Sequence, residues 1–412
     1  MNFEDTPEEA RFRTEVRHWL EANAKPKTPD TLKARASLSE AEGLKRAKEW
    51  QAKRAAAGYA RITWPKEWGG MGGTPIQSVI YGQEESKFDV PAGFFEIGLG
   101  MCIPTVMQYT SAEHKARYVK PALFGEEVWC QLFSEPAAGS DVAGIRTKAE
   151  RDGNDWIING QKIWTSGAHY SDFGILLTRT DPSVPKHKGL TMFFLDMKSP
   201  GVEVRPIKQI SGGANFNEVF FTNVRIPDHQ RLHDVGKGWE AALTTLMHER
   251  LAVGGGTGGQ GPDVRELMAL ARTIELEDGP AIKNAAVRER LADWYVRSEG
   301  LKFTTYRTMT ALSKGQIPGP EASIAKIVVA QKLQDLASFA MDLEDMGGIM
   351  SGREQVPHEA MFQQAFMSAP GLRIAGGTDE ILRNIIAERV LGLPADIRVD
   401  KDVPFNKAPA GR

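Results

Sequence analysis

Cysteine is nearly absent from this chain, which has only Cys102 and Cys130 among its 412 residues. Two cysteines cannot build a disulfide framework or a thiolate metal cluster. Such low cysteine use is typical of a protein that works in a reducing compartment. The sequence therefore predicts a cytoplasmic protein without structural disulfides.

An excess of charge of one sign is also absent. The 51 Lys and Arg residues are balanced by 53 Asp and Glu residues, which leaves a net charge of −2. Without a basic excess, binding to nucleic acid or to an anionic membrane surface is not expected. The chain lacks a run of about 18 apolar residues, which a membrane-spanning helix needs. Its acidic first residues also lack the apolar core of a signal peptide.

Common metal and nucleophile motifs are missing. His248-Glu249 lacks the second histidine of HExxH, and the histidines are scattered without ligand spacing. No GxSxG nucleophile elbow occurs. These absences predict no metal site and argue against a hydrolase of either class.

Two short motifs match only formally. Gly256, Gly258 and Gly261 satisfy GxGxxG, but a helical segment precedes them where a dinucleotide site needs a strand. These glycines are interpreted as positions of close helix packing or of a helix break. Ser323–Lys326 satisfies SxxK without a KTG partner, inside an amphipathic helix. Neither motif is assigned a function.

The patterns that are present divide the chain into three parts. A chain of 412 residues with 41% hydrophobic content is long enough for two or three domains. Apolar residues recur at helical spacing in residues 1–127 and 236–412, and at a period of two in residues 128–235. The predicted fold class is α+β multidomain: an N-terminal α-helical domain (1–127), a central β-barrel-like domain (128–235) and a C-terminal α-helical bundle (236–412).

Individual elements follow from local signals. The predicted helices are Pro7 to about Pro26, Ser39–Ala57, Ile76–Phe88, Ala112–Lys120, a helix entered through Trp239, Asp263–Ile274, Ala285–Leu312, Glu321–Met341 and Thr378–Leu391. The predicted strands are Val128–Phe133, Phe173–Thr180, Leu190–Met197, Val202–Pro206 and Glu218–Ile226. Asn159-Gly160 predicts the turn of a hairpin between Asp155–Ile158 and Lys162–Thr165. The Pro-bearing tail from Pro394 is expected to fray.

The stretch Cys130–Asp141, CQLFSEPAAGSD, has strand character and then breaks into a loop of Pro, Ala, Gly and Ser. A strand that ends in such a loop lets backbone amides and hydroxyls approach a flat or anionic ligand closely. Many surface turns look the same, so this stretch alone leaves both a ligand loop and an ordinary turn open.

Several segments together resemble the acyl-CoA dehydrogenase family of flavoenzymes. Phe133–Asp141 matches the family's (S/T)EPxAGSD signature, and Asn159–Ser166 matches NGxKxWxT/S. Farther on, Gly236–Trp239 with the pair Glu249-Arg250 matches the start of the third domain, and Gly377–Ile381 matches GTxE(I/V). The matches run in order through nearly the whole chain, which is far more specific than any one of them. The resemblance implies that family's fold, with helical, β and helical domains.

The resemblance also implies FAD as the cofactor. By the family's pattern, the flavin ring is lined by Gln131, Phe133, Ser134, Trp164 and Ser166, with Trp164 against one face. Taken alone, Trp164 would be interpreted as an aromatic side chain of the β-domain core. Thr378 and Glu380 match positions at the adenosine end of FAD, and Arg272 is the residue available for its diphosphate, although the usual Phe-Gly does not follow it. Ser140 matches a contact to the pantetheine or phosphate part of the thioester.

The implied reaction is α,β-dehydrogenation of an acyl-CoA, in which a carboxylate removes the Cα proton. Many members carry that glutamate immediately before Gly-Thr, but here Gly376 occupies the position and cannot act as a base. A subgroup resembling the isovaleryl- and long-chain-type enzymes supplies it from the third-domain helix, which Glu249 matches, with Arg250 beside it. We therefore expect Glu249 to be the base, Arg250 to support the substrate and the amide of Gly376 to bind the thioester oxygen.

The expected partners are an acyl-CoA substrate, an electron-transfer flavoprotein and further copies of the chain in a homotetramer, a dimer of dimers. Glu344 stands where a glutamine is usual, beside the Gly347-Gly348 turn that matches the family's tetramer interface. Two alternatives stay open: a flavin monooxygenase or oxidase of the same fold, and a non-catalytic subunit of a hetero-oligomeric dehydrogenase.

Overall fold

The computed structural model describes residues 5–254, 261–314, 319–320, 322–350, 352 and 355–408. Gly256 and Gly258 of the GxGxxG match lie outside the described residues. The described residues divide into two compact units, one within Glu4–Ala252 and Asp396–Arg412 and the other within Val253–Ala395.

The first helix shows why the N-terminal pattern folds as predicted. Thr6 caps it, since the Glu9 amide donates to Thr6 Oγ1 (3.2 Å) and the Thr6 amide donates to Glu9 Oε2 (2.7 Å). Phe12, Val16 and Leu20 then bury one face. A capping box of this kind satisfies backbone donors that the first helical turn leaves unpaired, so it fixes where the helix begins.

The N-terminal region is helical, as predicted. Its elements are α1 (Pro7–Asn23), β1 (Lys25–Pro26), α2 (Pro29–Ala36), α3 (Glu40–Ala56), α4 (Pro75–Glu85), β2 (Phe88–Asp89), a π-helical turn (Gly98–Cys102) that continues into α5 (Ile103–Tyr109), and α6 (Ala112–Leu123). The prediction of one helix through to Phe88 was wrong at its end, because Phe88 and Asp89 pair as a strand with Pro26 and Lys25. Helices α2 and α5 were not predicted.

One mixed sheet forms the middle of the chain. Its strands are β3 (Trp129–Leu132), β4 (Lys148–Asp152), β5 (Asp155–Ser166), β6 (Phe173–Arg179), β7 (Leu190–Asp196), β8 (Val202–Ile207), β9 (Phe216–Pro227) and β10 (Arg231–Leu232). Their order is β10-β7-β6-β4-β5-β9-β8, with β3 parallel to β6. Within residues 128–235, all of which the structure describes, β10 and β8 do not pair, so the sheet is open and does not close as a barrel.

The predicted hairpin at Asn159-Gly160 was wrong. Both segments belong to the single strand β5, and the register against β9 shifts between Ile158 and Gly160. The backbone at Gly160 has a φ of 153°, and a Cβ there would lie 2.5 Å from Thr147 Oγ1 and 2.7 Å from Thr147 Cα. Glycine is therefore needed here because the strand bulges and Thr147 approaches its backbone closely. An Asn-Gly pair suits such a bulge as well as it suits a turn. The actual tight turn joins β4 to β5, where Asp152 pairs with Asp155.

The second unit is helical. Its elements are α8 (Val264–Thr273), β11 (Glu275–Leu276), β12 (Gly279–Pro280), α9 (Ala285–Ser313), α10 (Ala322–Leu343), α11 (Met361–Leu372) and α12 (Asp379–Arg389). The core of this unit contains Leu267, Trp294, Leu336 and Phe362, all almost fully buried. Helix α11 was not predicted. The remaining long helix, α7 (Gly238–Gly254), begins in the first unit after the sheet.

The C-terminal tail does not fray where the structure describes it. Pro404 forms a β-bridge with Pro185, and the amides of Phe405 and Asn406 donate to the carbonyls of Val184 and Pro182, both at 2.9 Å. These backbone bonds attach the tail to the loop between β6 and β7. For residues 404–406 the expectation of a frayed tail was wrong, because polar, Pro-rich composition does not reveal which backbone groups a folded surface offers.

Candidate functional site

Trp164 is the most unusual residue of the sheet. It lies within β5 at the second register shift, between Lys162 and Thr165, and its backbone φ is +59°. Its side chain is 56% exposed and meets Phe216 edge to face at 6.1 Å. A left-handed backbone costs a non-glycine residue about 1–2 kcal/mol, and exposing an indole forgoes its burial. The interpretation of Trp164 as a core aromatic is therefore wrong, and the combination indicates a surface that receives a ligand.

The end of β3 lies beside this bulge. The Ile163 amide donates to the Ser134 carbonyl at 2.9 Å, which places the residue before Trp164 against the predicted flavin strand. Gln131, Ser134 and Ser166 are all partly buried. Within the part of the chain that the structure describes, their side chains make no hydrogen bond. Partly buried polar groups without partners are suited to holding the polar edge of a ligand.

Phe133 is placed differently from its neighbours. Its side chain is buried in the core shared by the N-terminal helices and the sheet. Its carbonyl accepts a hydrogen bond from Lys162 Nζ at 2.9 Å. The structure therefore gives Phe133 a role in fixing the backbone of this segment, and only its backbone remains available to line a ligand.

A buried ion pair links β5 to the segment that follows β3. Lys162 Nζ lies 2.8 Å from Glu135 Oε1, and the Lys162 side chain has no exposed surface. Glu135 also accepts hydrogen bonds from the amides of Arg146 (2.6 Å) and Thr147 (2.9 Å). Burial lowers the pKa of Lys162 to about 8 even though Glu135 opposes the shift. Burial raises the pKa of Glu135, but Lys162 and the hydrogen bonds from Thr147 and Arg146 more than offset it, so the net shift is downward and both groups are charged at neutral pH.

Ser140 and Asp141 lie in the exposed loop that follows. The Asp141 carboxylate accepts from Lys186 Nζ through both oxygens, at 3.0 and 2.9 Å. The Ser140 side chain is exposed next to this anchored carboxylate. A hydroxyl on an anchored loop can meet the chain of a thioester ligand, as the sequence predicts for Ser140.

Glu249 lies near the end of α7 and is partly buried. The first half of this helix is fastened to α5 through paired hydroxyls: Thr245 to Thr105 at 2.9 Å, and Thr244 to Tyr109 at 2.8 Å. These bonds fix the helix that carries Glu249. The side chain of Arg250 lies outside the described part of the structure, so the prediction for it stays a prediction.

The predicted residues of the second unit sit around the start of α12. Gly376 and Gly377 have φ values of 66° and 91°, and Lys326 Nζ donates to the Gly377 carbonyl at 2.5 Å. Thr378 caps the helix by accepting from the Ile381 amide at 3.3 Å. Glu380 follows in the first turn, where its own backbone amide and the Thr378 hydroxyl lower its pKa. The turn thus presents exposed backbone at Gly376 and a carboxylate at Glu380.

Arg272 and Glu344 lie elsewhere in the same unit. Arg272 is exposed in the last turn of α8. Glu344 is buried and accepts from Gln363 Nε2 at 2.5 Å, and its burial raises its pKa. The structure places neither residue on the turn at Gly376, and the diphosphate role of Arg272 stays a prediction.

Sequence reasoning missed the residues that hold the site in shape. The sequence predicts Lys162 only as part of the NGxKxWxT/S match. Its side chain, however, occupies an inward position of the alternating strand β5. A lysine whose charge is buried needs an acidic partner in the interior. A lysine at an inward position of a strand could therefore have predicted the ion pair. Arg373, whose Nε lies 2.8 Å from Asp379 Oδ2 under the Gly376 turn, offered no comparable signal.

Family models match at residues 6–126 (acyl-CoA dehydrogenase, N-terminal domain), 130–224 (middle domain) and 236–391 (C-terminal domain). The chain belongs to the acyl-CoA dehydrogenase family. This family consists of flavoproteins, and its three-part fold is the one described above.

Curated relatives include two acyl-CoA dehydrogenases of Mycobacterium tuberculosis. IpdE1 is 34% identical over 94% of this chain and 98% of its own length. FadE34 is 38% identical over 80% of this chain, which spans only 44% of that relative's length. The solved structure titled "Tcur3481-Tcur3483 steroid ACAD" is 25% identical, with a TM-score of 0.79 over 96% of this chain and 100% of its own. The ChsE4-ChsE5 complex from M. tuberculosis gives a TM-score of 0.78 at 25% identity, over 96% of this chain and 100% of its own.

Membrane-spanning helices and metal-binding clusters were both sought among the described residues of this acyl-CoA dehydrogenase family member. Among them, no helix combines the length and apolarity that crossing a membrane requires. They also contain no group of three or more His, Cys, Asp or Glu side chains arranged to bind a metal ion.

Proposed function

We propose that this acyl-CoA dehydrogenase family member binds FAD and catalyses α,β-dehydrogenation of an acyl-CoA thioester. The observation that carries the proposal is Trp164, an exposed indole held on a left-handed backbone at a bulge of β5. A flat apolar ring in that position is suited to covering one face of a planar cofactor. No role in the core of this protein accounts for it.

The residues present fit FAD. Gln131, Ser134 and Ser166 offer partly buried polar side chains without partners in the described residues, along the two strand ends beside Trp164. They would hold the polar edge of the isoalloxazine. Thr378 and Glu380 would receive the adenosine end, and Arg272 would neutralise part of the diphosphate. When bound, FAD supplies the acceptor for the hydride that leaves the substrate Cβ.

The remaining chemistry falls to side chains and backbone of this chain. Glu249 accepts the proton from Cα, and the electron pair of that C–H bond becomes part of the new Cα–Cβ double bond as the Cβ hydride departs. The Gly376 amide donates to the thioester oxygen, on which negative charge develops. Arg250 supports the substrate electrostatically beside Glu249. Ser140 contacts the pantetheine or phosphate part of the thioester.

The acyl group is proposed to be bulky. Gly376 stands where many family members carry the side chain of the base, so space is available near Cα and Cβ. The neighbour described as a steroid acyl-CoA dehydrogenase supports a large ring-bearing group over a short straight chain. We expect thermal-shift ranking to favour branched or ring-bearing acyl-CoAs, and a preference for short straight chains would contradict this part of the proposal.

The further partners are an electron-transfer flavoprotein, which would reoxidise the cofactor, and other copies of the chain in a homotetramer, a dimer of dimers. A cytoplasmic location is proposed with them, because Cys102 and Cys130 are both free and buried. Light scattering of the purified protein tests the assembly.

The decisive experiment is anaerobic bleaching of the yellow protein by a panel of acyl-CoAs. Glu249→Gln should keep the flavin and slow bleaching by about 10²- to 10⁴-fold, the usual contribution of a general base. Glu240→Gln is the matched control, because Glu240 lies on the same helix and pairs with Lys237 at the surface. Normal bleaching of Glu249→Gln would reject Glu249 as the base, and absence of bleaching by any acyl-CoA would reject the function.

Two other functions are tested by the same preparation. Oxygen consumption without an added electron acceptor would indicate a flavin oxidase or monooxygenase of this fold. The two-component names of the neighbouring complexes favour a hetero-oligomer as the second candidate. A chain that binds FAD only when a second, different subunit is present would support that alternative.

A further inference from the structure

The C-terminal tail is attached to the loop that precedes β7. Besides the backbone bonds at Phe405 and Asn406, the carboxylate of Asp400 lies 2.6 Å from Lys186 Nζ. The side chain of Lys186 is only 12% exposed. The tail therefore supplies one of the two carboxylate partners of this ammonium group.

The second partner of Lys186 is Asp141, at 2.9 Å. Asp141 directly follows Ser140, the residue predicted to contact the thioester. One ammonium group thus links the tail to the Ser140 loop. Lys186 is 12% exposed but Asp141 is 55% exposed, so the loop is held by one ammonium group that bonds two carboxylates at once, and not by burial of the carboxylates.

A second connection reaches the far end of the same loop. The centroid of the Phe405 ring lies 3.7 Å from the guanidinium carbon of Arg179. Arg179 in turn donates to the carbonyls of Ala143 (2.5 Å) and Ile145 (3.0 Å). The tail therefore holds the segment from Asp141 to Ile145 at both ends, once through charge and once through cation–π contact.

We propose that the tail, residues 396–408, is a positioning element for acyl-CoA binding, acting through Lys186 and Arg179 on the Ser140 loop. This inference rests on the proposed function, because it assigns the loop to the thioester. The tail itself is not placed in contact with the reacting atoms. Its loss should weaken the binding of acyl-CoA and leave the chemical step and the flavin site unchanged.

The test compares holoenzymes with altered tails. Truncation after Ala395 should raise the KM for acyl-CoA about 10-fold with kcat and flavin content retained, the pattern expected when uniform binding is lost. Asp400→Asn and Phe405→Ala should each raise KM about 3-fold, and Asp400→Glu should restore it. Asp402→Asn is the matched control, because Asp402 is exposed in the same tail and makes none of these contacts. The single substitutions keep the test available if the truncated chain fails to fold.

A readout without substrate separates this inference from the proposed function. Amide hydrogen exchange in residues 136–147 should accelerate in Asp400→Asn and Phe405→Ala, and remain normal in Asp402→Asn. An unchanged KM with unchanged exchange would overturn the inference, as would an equal loss of kcat and flavin, which would mean general destabilisation. If wild type turns over no acyl-CoA, the proposed function fails while the exchange experiment still decides whether the tail orders the loop.

Discussion

Lys162 Nζ and Glu135 Oε1 form an ion pair with a separation of 2.8 Å, and neither side chain is appreciably exposed. The same Lys162 Nζ donates to the Phe133 carbonyl, and the same Glu135 carboxylate accepts from the Arg146 and Thr147 amides. One buried pair therefore fixes the end of β3, the bulge of β5 and the start of β4. The strand segments proposed to receive FAD, at Ser134 and Trp164, are thus joined through one buried charge pair.

Lys162→Met should destabilise the protein by about 3–5 kcal/mol, because it leaves a buried carboxylate without its cation. Urea unfolding of the purified variants measures the loss. Lys148→Met is the control: Lys148 and Glu150 are 3.8 Å apart and both well exposed, so that loss should stay within about 1 kcal/mol. Adding Glu135→Leu to Lys162→Met should recover only part of the lost stability, because the amides of Arg146 and Thr147 then lose their acceptor. Equal losses for the two lysines would contradict this account.

Trp164→Ala should weaken FAD binding about 5- to 10-fold by removing one stacking surface. Fluorescence titration of the apoprotein with FAD measures it. Ile210→Ala is the control, because Ile210 is 85% exposed and belongs to no predicted flavin contact. FAD affinity unchanged in Trp164→Ala would remove the main support for the proposed cofactor site.

Trp164→Gly separates stacking from backbone strain. Glycine tolerates a φ of 59°. The apoprotein of Trp164→Gly should therefore have a free energy of unfolding up to about 1 kcal/mol higher than that of Trp164→Ala, as measured by urea unfolding. Both variants should lose FAD affinity equally. A glycine variant that is the less stable of the two would show that the bulge is unstrained.

Gly160→Ala should destabilise the sheet by about 2–3 kcal/mol, because the new Cβ would meet the backbone of Thr147. Gly153→Ala is the matched control, since Gly153 also has a positive φ, +61°, but open space around it. Its cost should be about 1 kcal/mol. Thermal unfolding compares the two, and equal costs would mean that the strand relaxes around Thr147.

The free energy of unfolding should fall as the pH drops below about 6.5, which is the ordinary pKa of a histidine side chain. Burial lowers the pKa of His114, with His229 adding to the effect, and burial with the charge of Arg61 lowers that of His248. A lowered pKa means that the unfolded chain takes up protons first, so this stabilisation is present above about pH 6.5 and lost below. Urea midpoints at pH 7.5, 6.5 and 5.5 measure the slope. The double substitution His114→Gln and His248→Gln should reduce the slope but not abolish it, because burial and Lys186 also lower the pKa of His187. An unchanged slope would contradict the roles of His114 and His248.

Much of the architecture was predictable because its signals are local. Apolar residues at helical spacing located α1, the charged, Ala-rich run that ends at Gly58 located α3, and strand-like runs between turn residues located β6, β7 and β9. The errors share one cause: a dipeptide or a composition has more than one structural use. Asn159-Gly160 suits a turn and a bulge equally, and what decides between them is Thr147, which arrives from a different strand.

The sequence by itself determined the family, the order of the domains and the motif residues, including Trp164 and Glu249, since these depend on residue types at fixed spacings along one chain. Only the tertiary structure decided that Trp164 is exposed on a left-handed backbone, that Lys162 and Glu135 meet in the interior, and that the tail holds Lys186 against Asp141. Those relationships join residues distant in the chain. They follow from which surfaces pack together, and local spacing carries no record of that.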